Sequence, residues 1–136
     1  MMNVHITEEF PQNQEYMDLR VAAGLPEVEI LAIATALNRS VLSLLARDDN
    51  DRLIGMGRVV GDGAFYFQLV DIMVAASHLD QGFEEMIMSE LLSRLQKIAP
   101  SGAEVTVITD VPGIKLYQHA GFKLLYPDRY GMARSL

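Results

Sequence analysis

The sequence contains no cysteine and no tryptophan among its 136 residues. The absence of cysteine excludes disulfide bonds, thiolate metal sites and a cysteine nucleophile. The three histidines, His5, His78 and His119, lie far apart in the sequence, with no helical pairing to another type of ligand. Because a zinc site needs several such ligands in one place, we expect no metal.

Long apolar runs and an excess of positive charge are also missing. The longest apolar stretches, such as residues 31–37, are much shorter than the roughly 20 residues that cross a bilayer. The first ten residues lack the basic and apolar pattern of a secretion signal. We therefore expect a cytoplasmic protein with no membrane partner. The formal net charge of −7 argues against nucleic acid as a partner, because phosphates require a basic surface, and favours a cationic one.

The overall composition is that of a folded protein. Half of the residues are hydrophobic and 21% are charged, which is the balance of a compact chain rather than a disordered one. A chain of this length can bury a hydrophobic core by itself. We predict one domain that spans residues 1–136.

Hydrophobic periodicity predicts an alternating series of strands and helices. A strand at residues 4–6 precedes helices at 12–23 and 26–38, then strands at 41–47, 53–60 and 65–76, a helix at about 82–98, a strand at 104–109, a short helix between Asp110 and Gly121, and strands at 122–126 and 130–134. This order predicts an α/β (α+β) fold in which helices flank a mixed, mostly antiparallel sheet.

Three glycines in the second strand of the central hairpins form a pattern close to a dinucleotide-binding fingerprint. Gly55, Gly57 and Gly61 are spaced G-x-G-x-x-x-G. The fingerprint requires a strand before it and a helix after it, whereas IGMGRVV is itself strand-like and continues into a turn. We interpret the glycines as small residues that permit close packing and turning.

Two stretches resemble the GNAT N-acetyltransferase superfamily: LIGMGRVVGDGAFYFQLVDIMV at residues 53–74 and DVPGIKLYQHAGF at residues 110–122. With the helix between them, the resemblance extends from about Arg20 to the C-terminus. It implies the GNAT acyl-CoA N-acyltransferase fold. It also implies transfer of an acetyl group from acetyl-CoA to a primary amine of a small molecule or peptide, by direct attack in a ternary complex.

The resemblance implies an acetyl-CoA site at the end of the central strand and the start of the long helix. Members of the superfamily pair the pantetheine arm with the strand backbone, here Met73 and Val74. They surround the pyrophosphate with a loop of pattern Q/R-x-x-G-x-G/A, which falls here on Leu79, Asp80, Gln81, Gly82, Phe83 and Glu84. Only Gly82 matches, so the pyrophosphate loop is degenerate at its first and last positions.

Acidic residues surround the start of this helix and allow two interpretations. Asp80, Glu84 and Glu85 would each oppose a pyrophosphate at about 6 Å by ~1–3 kcal/mol and so weaken cofactor binding. They also suit a helix start without a ligand, with Asp80 as the N-cap and the glutamates at the positive end of the helix dipole. A noncatalytic GNAT-fold binding or regulatory module, with lost or weakened CoA binding, is therefore the alternative function.

Tyr117 in LYQHAGF is the candidate catalytic residue. The resemblance implies that it protonates the departing CoA thiolate, and a phenol of pKa near 10 carries this proton at neutral pH. In the alternative interpretation, Tyr117 only packs with Ile114 on one face of its helix. Asp71 and His78 are possible bases, but Asp71 also suits a structural carboxylate satisfied by backbone groups. No base is assigned.

The acceptor and the quaternary structure leave weaker signals. Met86 and Met88 suit either an adaptable homodimer interface or the filling of an irregular core. Acidic residues in the N-terminal helical region could attract a cationic amine or could form a solvated face; they are Glu15, Asp18, Glu27 and Glu29.

Overall fold

The computed structural model describes residues 3–136 and contains one five-stranded sheet in the order β1-β2-β3-β4-β5. The strands are β1 (His5–Glu8), β2 (Leu42–Arg47), β3 (Leu53–Gly61), β4 (Tyr66–Val74) and β5 (Glu104–Val107). Strands β1 to β4 pair antiparallel, and β5 pairs parallel with β4. The mixed, mostly antiparallel sheet predicted from the sequence is confirmed.

Four helices cover the two faces of the sheet: α1 (Asn13–Ala22), α2 (Ile30–Asn38), α3 (Phe83–Ile98) and α4 (Ile114–His119). Leu44 and Leu45 are neighbours in β2, and both are fully buried, but they belong to different cores. Leu44 packs in the core with α3 and α4, and Leu45 packs in the core with α1 and α2, because successive strand residues point to opposite faces. Within residues 3–136, no helix is long and apolar enough to cross a bilayer.

Helix α3 packs very closely on β3 at two glycines. A Cβ atom added at Gly57 would lie 2.6 Å from Leu91 Cδ1, and one added at Gly55 would lie 2.9 Å from Ile87 Cδ1. Both distances are too short for carbon atoms in contact. The interpretation of these glycines as small packing residues is confirmed, and the strand leads into a hairpin rather than a nucleotide-binding helix.

The second helix begins at Ile30 rather than at Pro26 as predicted. Glu29 is its N-cap, and the Glu29 carboxylate accepts a hydrogen bond from the Leu31 N–H at 3.2 Å. This side-chain cap satisfies one of the amide groups that every helix start leaves free. The cap therefore places the start of the helix after residues 26–29, which belong to no helix or strand.

The two strands predicted after α4, at residues 122–126 and 130–134, are wrong for the single chain. Residues 122–136, which we name the C-terminal segment, contain no strand. A strand requires a neighbouring strand for its backbone groups, and no backbone hydrogen bond joins this segment to β5 within the described residues. Strand β5 is consequently an edge of the sheet.

Candidate active site

Strands β4 and β5 separate partway along their length. Their pairing extends from Tyr66 opposite Glu104 to Leu69 opposite Val107, whereas β4 continues to Val74. Residues 70–74 of β4 therefore have no strand partner on this side. A cavity of about 480 Å³ opens there, lined by Arg20, Leu25, residues 69–72, Glu84, residues 107–110, Gly113 and Tyr117.

A β-bulge at Asp71 distorts β4 at this cavity. Between the pairs Met56–Met73 and Arg58–Val70, β4 contains one residue more than β3. Asp71 has a φ angle of 53°, a left-handed conformation that is uncommon for residues other than glycine. Such a bulge bends the strand that carries it, so β4 bends where its pairing with β5 has ended.

Three side chains hold the carboxylate of Asp71. Arg58 Nε and the Tyr16 hydroxyl both donate to Oδ2, at 2.8 and 2.7 Å, and Arg20 Nη1 lies 3.6 Å from Oδ1. The side chains of Asp71 and both arginines are at most 15% exposed. Asp71 is a structural carboxylate, but its partners are side chains rather than the backbone groups considered from the sequence.

No role is assigned to the partners of Asp71 from the sequence, although the sequence contains a feature that indicates one. Arg58 and Asp71 are each the single charged residue of a mostly apolar strand, and a buried charge requires an opposite partner. Arg58 also donates to the Ala36 carbonyl at 3.1 Å and to Ser40 Oγ at 3.0 Å. This network therefore connects the end of α2 to the bulge in β4.

Tyr117 lies on the same cavity, where α4 faces the opening. Its side chain is 8% exposed, and its ring packs edge-on against Phe122, with ring centroids 5.7 Å apart. Burial, followed by the nearby carboxylates of Glu84 and Asp110, raises the pKa of Tyr117 to about 12. The phenol is therefore fully protonated at neutral pH.

Glu84 lies on the cavity together with Tyr117 and Asp110. Burial raises the pKa of the Glu84 carboxyl, and the charges of Asp110 and Asp80 raise it further. Within residues 3–136, neither a hydrogen bond nor a salt bridge offsets its charge. The surroundings of Glu84 thus disfavour its ionised form, which argues against a purely stabilising role at the helix start.

The loop before α3 differs from the capped helix start considered from the sequence. The N-cap is Gly82 with a φ angle of 80°, and no side chain caps the helix; Asp80 as the N-cap is therefore wrong. Asp80 itself has a φ angle of 62°. The first helical hydrogen bond joins the Met86 N–H to the Gly82 carbonyl at 3.1 Å. The N–H groups of residues 83–85 precede it and have no protein acceptor among the described residues.

The remaining predicted cofactor positions divide between the core and the surface. Met73 and Val74 are buried, with their side chains in the two different cores, so only their backbone can meet a ligand. Phe83 is also buried, whereas the loop residues before it are exposed at Leu79, Gln81 and Gly82. The cavity brings together Glu84 and Tyr117 but none of these other positions.

The other candidate residues lie outside the cavity. The His78 ring stands beside Phe83, and its Nδ1 is 2.9 Å from Ser77 Oγ. Glu15 pairs with Arg47 at 2.7 Å, and this pairing lowers the pKa of the Glu15 carboxyl. Glu29 is the cap of α2. Two of the four acidic residues of the helical region, Glu15 and Glu29, therefore have structural partners within the fold. Within residues 3–136, no group of three His, Asp or Glu side chains could hold a metal ion.

Several solved structures share this fold. A protein of unknown function from meticillin-resistant Staphylococcus aureus, described as a probable acetyltransferase, is 34% identical, with 98% of this chain and 100% of that chain covered and a TM-score of 0.90. A GNAT family acetyltransferase from Streptococcus pneumoniae is 26% identical, with coverage of 100% and 98% and a TM-score of 0.80. A GNAT family N-acetyltransferase from Escherichia coli, in complex with CoA, is 20% identical, with coverage of 91% and 71% and a TM-score of 0.73.

The sequence itself matches no protein-family model and no curated protein. The likeness to the Escherichia coli structure concerns the fold alone. The staphylococcal relative, in contrast, shares both sequence and fold over the whole of its own length. The chain therefore belongs to the GNAT superfamily of acetyltransferases.

Proposed function

We propose that this protein transfers an acetyl group from acetyl-CoA to a primary amine of a small molecule or peptide, by direct attack in a ternary complex. The observation that supports this function is the opening between β4 and β5, where an unpaired strand edge, Tyr117 and the start of α3 meet at one cavity. Direct attack by an amine requires no protein nucleophile, which agrees with a chain that contains no cysteine.

Backbone groups would hold most of the cosubstrate. The unpaired edge of β4, including Met73 and Val74, offers N–H and C=O groups to an extended pantetheine arm, as a strand edge does to a peptide. The free N–H groups at the start of α3 would face the pyrophosphate, with Leu79, Gln81, Gly82, Phe83 and Glu84 around it. Acetyl-CoA would supply the activated acetyl thioester.

Tyr117 would act as the general acid that protonates the departing CoA thiolate. Its pKa of about 12 lies roughly 3.5 units above that of a thiol near 8.5, so complete proton transfer is uphill by about 5 kcal/mol. A cationic amine beside Asp110 would offset one of the two charges that help to raise this pKa. Binding of the acceptor would therefore make Tyr117 a better acid.

The acidic lining of the cavity supports a cationic acceptor. Glu84 and Asp110 both line it, Asp71 is already neutralised by arginines, and the whole chain has a formal charge of −7. An ammonium group would thus be attracted to this cavity before it loses its proton.

We further propose a cytoplasmic protein that acts as a single domain and forms a homodimer.

The second candidate function is a noncatalytic GNAT-fold binding or regulatory module. One observation favours it: Glu84 places an uncompensated carboxylate at the helix start, where the superfamily pattern has Gly or Ala. Like charges there would repel a pyrophosphate. The module would then bind a different ligand or a protein partner through the same fold.

Release of CoA thiol distinguishes the two functions. Because the chain contains no cysteine, a thiol reagent reports free CoA without background from the protein. We expect thiol release from acetyl-CoA that depends on the added amine, in a panel of polyamines, lysine peptides and aminoglycosides. Release with Tyr117→Phe should be much slower, and an equal rate in this control would remove Tyr117 from the reaction. No release with any amine would favour the noncatalytic module.

A further inference from the structure

A cluster of side chains beside the active-site cavity contains one positive charge in excess. Arg58, Arg20 and Tyr16 surround the single carboxylate of Asp71. Arginine is always charged in proteins. Burial and the neighbouring Asp71 raise the pKa of the Tyr16 phenol, which therefore stays neutral. Two guanidinium groups thus face one carboxylate, and a largely buried cluster of this kind favours a further anion.

Arg20 is the residue through which the excess charge reaches the cavity. Arg20 and Asp71 both line the cavity, and Arg58 does not. Arg58 already donates to the Asp71 carboxylate, to a backbone carbonyl in α2 and to a serine hydroxyl. Arg20 Nη1, in contrast, lies 3.6 Å from Asp71 Oδ1, which is too long for a hydrogen bond. The terminal N–H groups of Arg20 can therefore donate to a ligand.

Two contacts fix the guanidinium group of Arg20. Its Nε donates to the Pro26 carbonyl at 3.0 Å, and its Cζ lies 5.9 Å from the centre of the Tyr16 ring. A guanidinium group that is already in position matches the two oxygen atoms of a carboxylate and loses little freedom on binding. Because three carboxylates of the protein line the same cavity, a singly charged carboxylate fits better than a doubly charged phosphate.

Negative charge reaches the cavity from the opposite face of the sheet. Glu84 belongs to α3, and Asp110 lies just before α4. Helices α3 and α4 pack on one face of the sheet, whereas α1, which carries Arg20, packs on the other. A ligand that crosses the opening between β4 and β5 would therefore meet a cation on one side and two carboxylates on the other.

We propose that the acceptor is an amino acid with an uncharged side chain, whose carboxylate binds Arg20 and whose ammonium group is attracted by Glu84 and Asp110. This inference rests on the proposed acetyl transfer and names its acceptor. Apart from the charged residues already named, the described residues that line the cavity are uncharged. Leu25 and Ile108 are exposed apolar side chains among them, so they suit an uncharged side chain of the acceptor.

The reaction would produce an N-acetyl amino acid and CoA thiol. The ammonium group of the amino acid first loses one proton to solvent. Its nitrogen then bonds to the acetyl carbonyl carbon as the carbon–sulfur bond breaks. The sulfur leaves with the bonding electron pair and takes the proton of Tyr117, and the second proton that the nitrogen loses restores the phenol. Arg20 binds the carboxylate throughout and takes no part in the proton transfers.

Comparison of each amino acid with its own amide tests the carboxylate, because the amide replaces the charge with a neutral group of the same size. With L-leucine, L-methionine and L-phenylalanine, we expect kcat/KM for release of CoA thiol to be about 10- to 100-fold lower for the amide. An amide also lowers the pKa of its amine, so a slower reaction cannot come from a less available nucleophile. Equal rates, or faster rates with the amides, would overturn the proposal and leave acetyl transfer itself intact.

Substitutions of Arg20 test which residue reads the carboxylate. Arg20→Gln should reduce the acid-to-amide ratio of kcat/KM to about one, and Arg20→Lys, which keeps the charge but not the planar fork, should retain part of it. Arg52→Gln removes the same charge from a side chain that is 75% exposed and lies outside the cavity, and should not change the ratio. Because both substrates are measured with one variant, a loss of folded protein cancels. An undiminished ratio in Arg20→Gln would overturn the assignment.

Binding without reaction separates this inference from the proposed function. Calorimetric titration of the full chain with L-phenylalanine and with its amide, in the presence of CoA, requires no acetyl transfer. We expect the amino acid to bind at least about tenfold more tightly than the amide, and equally in Arg20→Gln. This difference without any release of CoA thiol would keep the amino-acid site and reject the acetyl transfer. Equal binding of the two compounds, or binding of neither, would overturn the amino-acid site.

Discussion

Two carboxylates line the same cavity, those of Asp71 and Glu84, and the charges that surround them are opposite in sign. Two arginines and a tyrosine surround Asp71, whereas Glu84 is partly buried beside the negative charges of Asp110 and Asp80. Asp71 therefore belongs to the framework that holds the bulge in β4. Glu84 is available to a ligand, either attracting a cationic amine or repelling a phosphate.

The contrast separates residues that build the opening from residues that act in it. The first group surrounds Asp71 and stabilises the bulge in β4. Arg58 and Tyr16 donate hydrogen bonds to the Asp71 carboxylate, and Arg20 lies close to it. Among the described residues, neither Tyr117 nor Glu84 has an oppositely charged partner of this kind, and both line the cavity. Substitutions in the first group should alter stability, and substitutions in the second group should alter binding and turnover.

The largest effect is expected on the free energy of unfolding, when Asp71 loses its negative charge. Asp71→Asn would leave Arg58 and Arg20 without their counter-charge in a buried position, and we expect a loss of about 3–5 kcal/mol in the free energy of unfolding. Urea denaturation monitored by circular dichroism measures it. Glu84→Gln is the same chemical change on the same cavity and provides the control. A loss below about 1 kcal/mol for Asp71→Asn would show that the network adds little stability.

The next largest effect is expected on the turnover number, with the stability of the fold unchanged. Tyr117→Phe should lower kcat by about 10²–10⁴-fold, the range for a positioned general acid, while the affinity for acetyl-CoA stays nearly unchanged. Steady-state kinetics with an accepted amine and calorimetry with acetyl-CoA separate these quantities. A loss of affinity equal to the loss of kcat/KM would instead assign Tyr117 to cosubstrate binding.

A smaller effect is expected on the affinity for acetyl-CoA itself. Replacing Glu84 with Ala removes one negative charge and the side chain from the helix start, and we expect roughly tenfold tighter binding, or about 1.4 kcal/mol. The gain should shrink as salt is added, because screening weakens the repulsion in the unmodified protein. Glu85→Ala, at an exposed neighbouring position, is the comparison. Unchanged affinity for Glu84→Ala would mean that the glutamate does not face the pyrophosphate.

The smallest effect is a pH-dependent gain in stability for Glu84→Gln. Because the pKa of Glu84 is raised in the folded state above its ordinary value of 4.5, its ionisation destabilises the fold as the pH rises through the folded pKa. We expect Glu84→Gln to be more stable by about 0.2–1 kcal/mol at pH near 8, after discounting for solvent screening. The difference should decrease towards pH 4.5. An advantage that is equal at both pH values would not arise from this carboxyl group.

Local patterns in the sequence predict most of the fold. The apolar stripe that specifies α3 consists of Phe83, Ile87, Leu91, Leu95 and Ile98. The first four side chains are buried, whereas Ile98, the last residue of the helix, is 56% exposed. The apolar runs of β2, β3 and β4 likewise specify their strands. The superfamily resemblance then connects these elements to one fold. These features could be predicted because each depends on the spacing of nearby residues.

The features that could not be predicted depend on residues far apart in the sequence. Tyr16 and Asp71 are 55 positions apart and meet only because α1 packs over β4. Burial raises the pKa of Glu84, and the charge of Asp110, which lies 26 positions later in the sequence just before α4, raises it further. The C-terminal segment has the local pattern of strands but lacks a partner within its own chain, and local spacing does not report where a strand finds its partner.

Calorimetric titration of the full chain with acetyl-CoA, at low and moderate salt, tests most directly whether the opening between β4 and β5 is a cosubstrate site. We predict micromolar binding, accompanied by an increase in the melting temperature. Binding of this strength would mean that the backbone groups at the start of α3 hold the pyrophosphate despite Glu84. No detectable heat at millimolar acetyl-CoA, together with an unchanged melting temperature, would contradict the account and leave the noncatalytic module as the function of this fold.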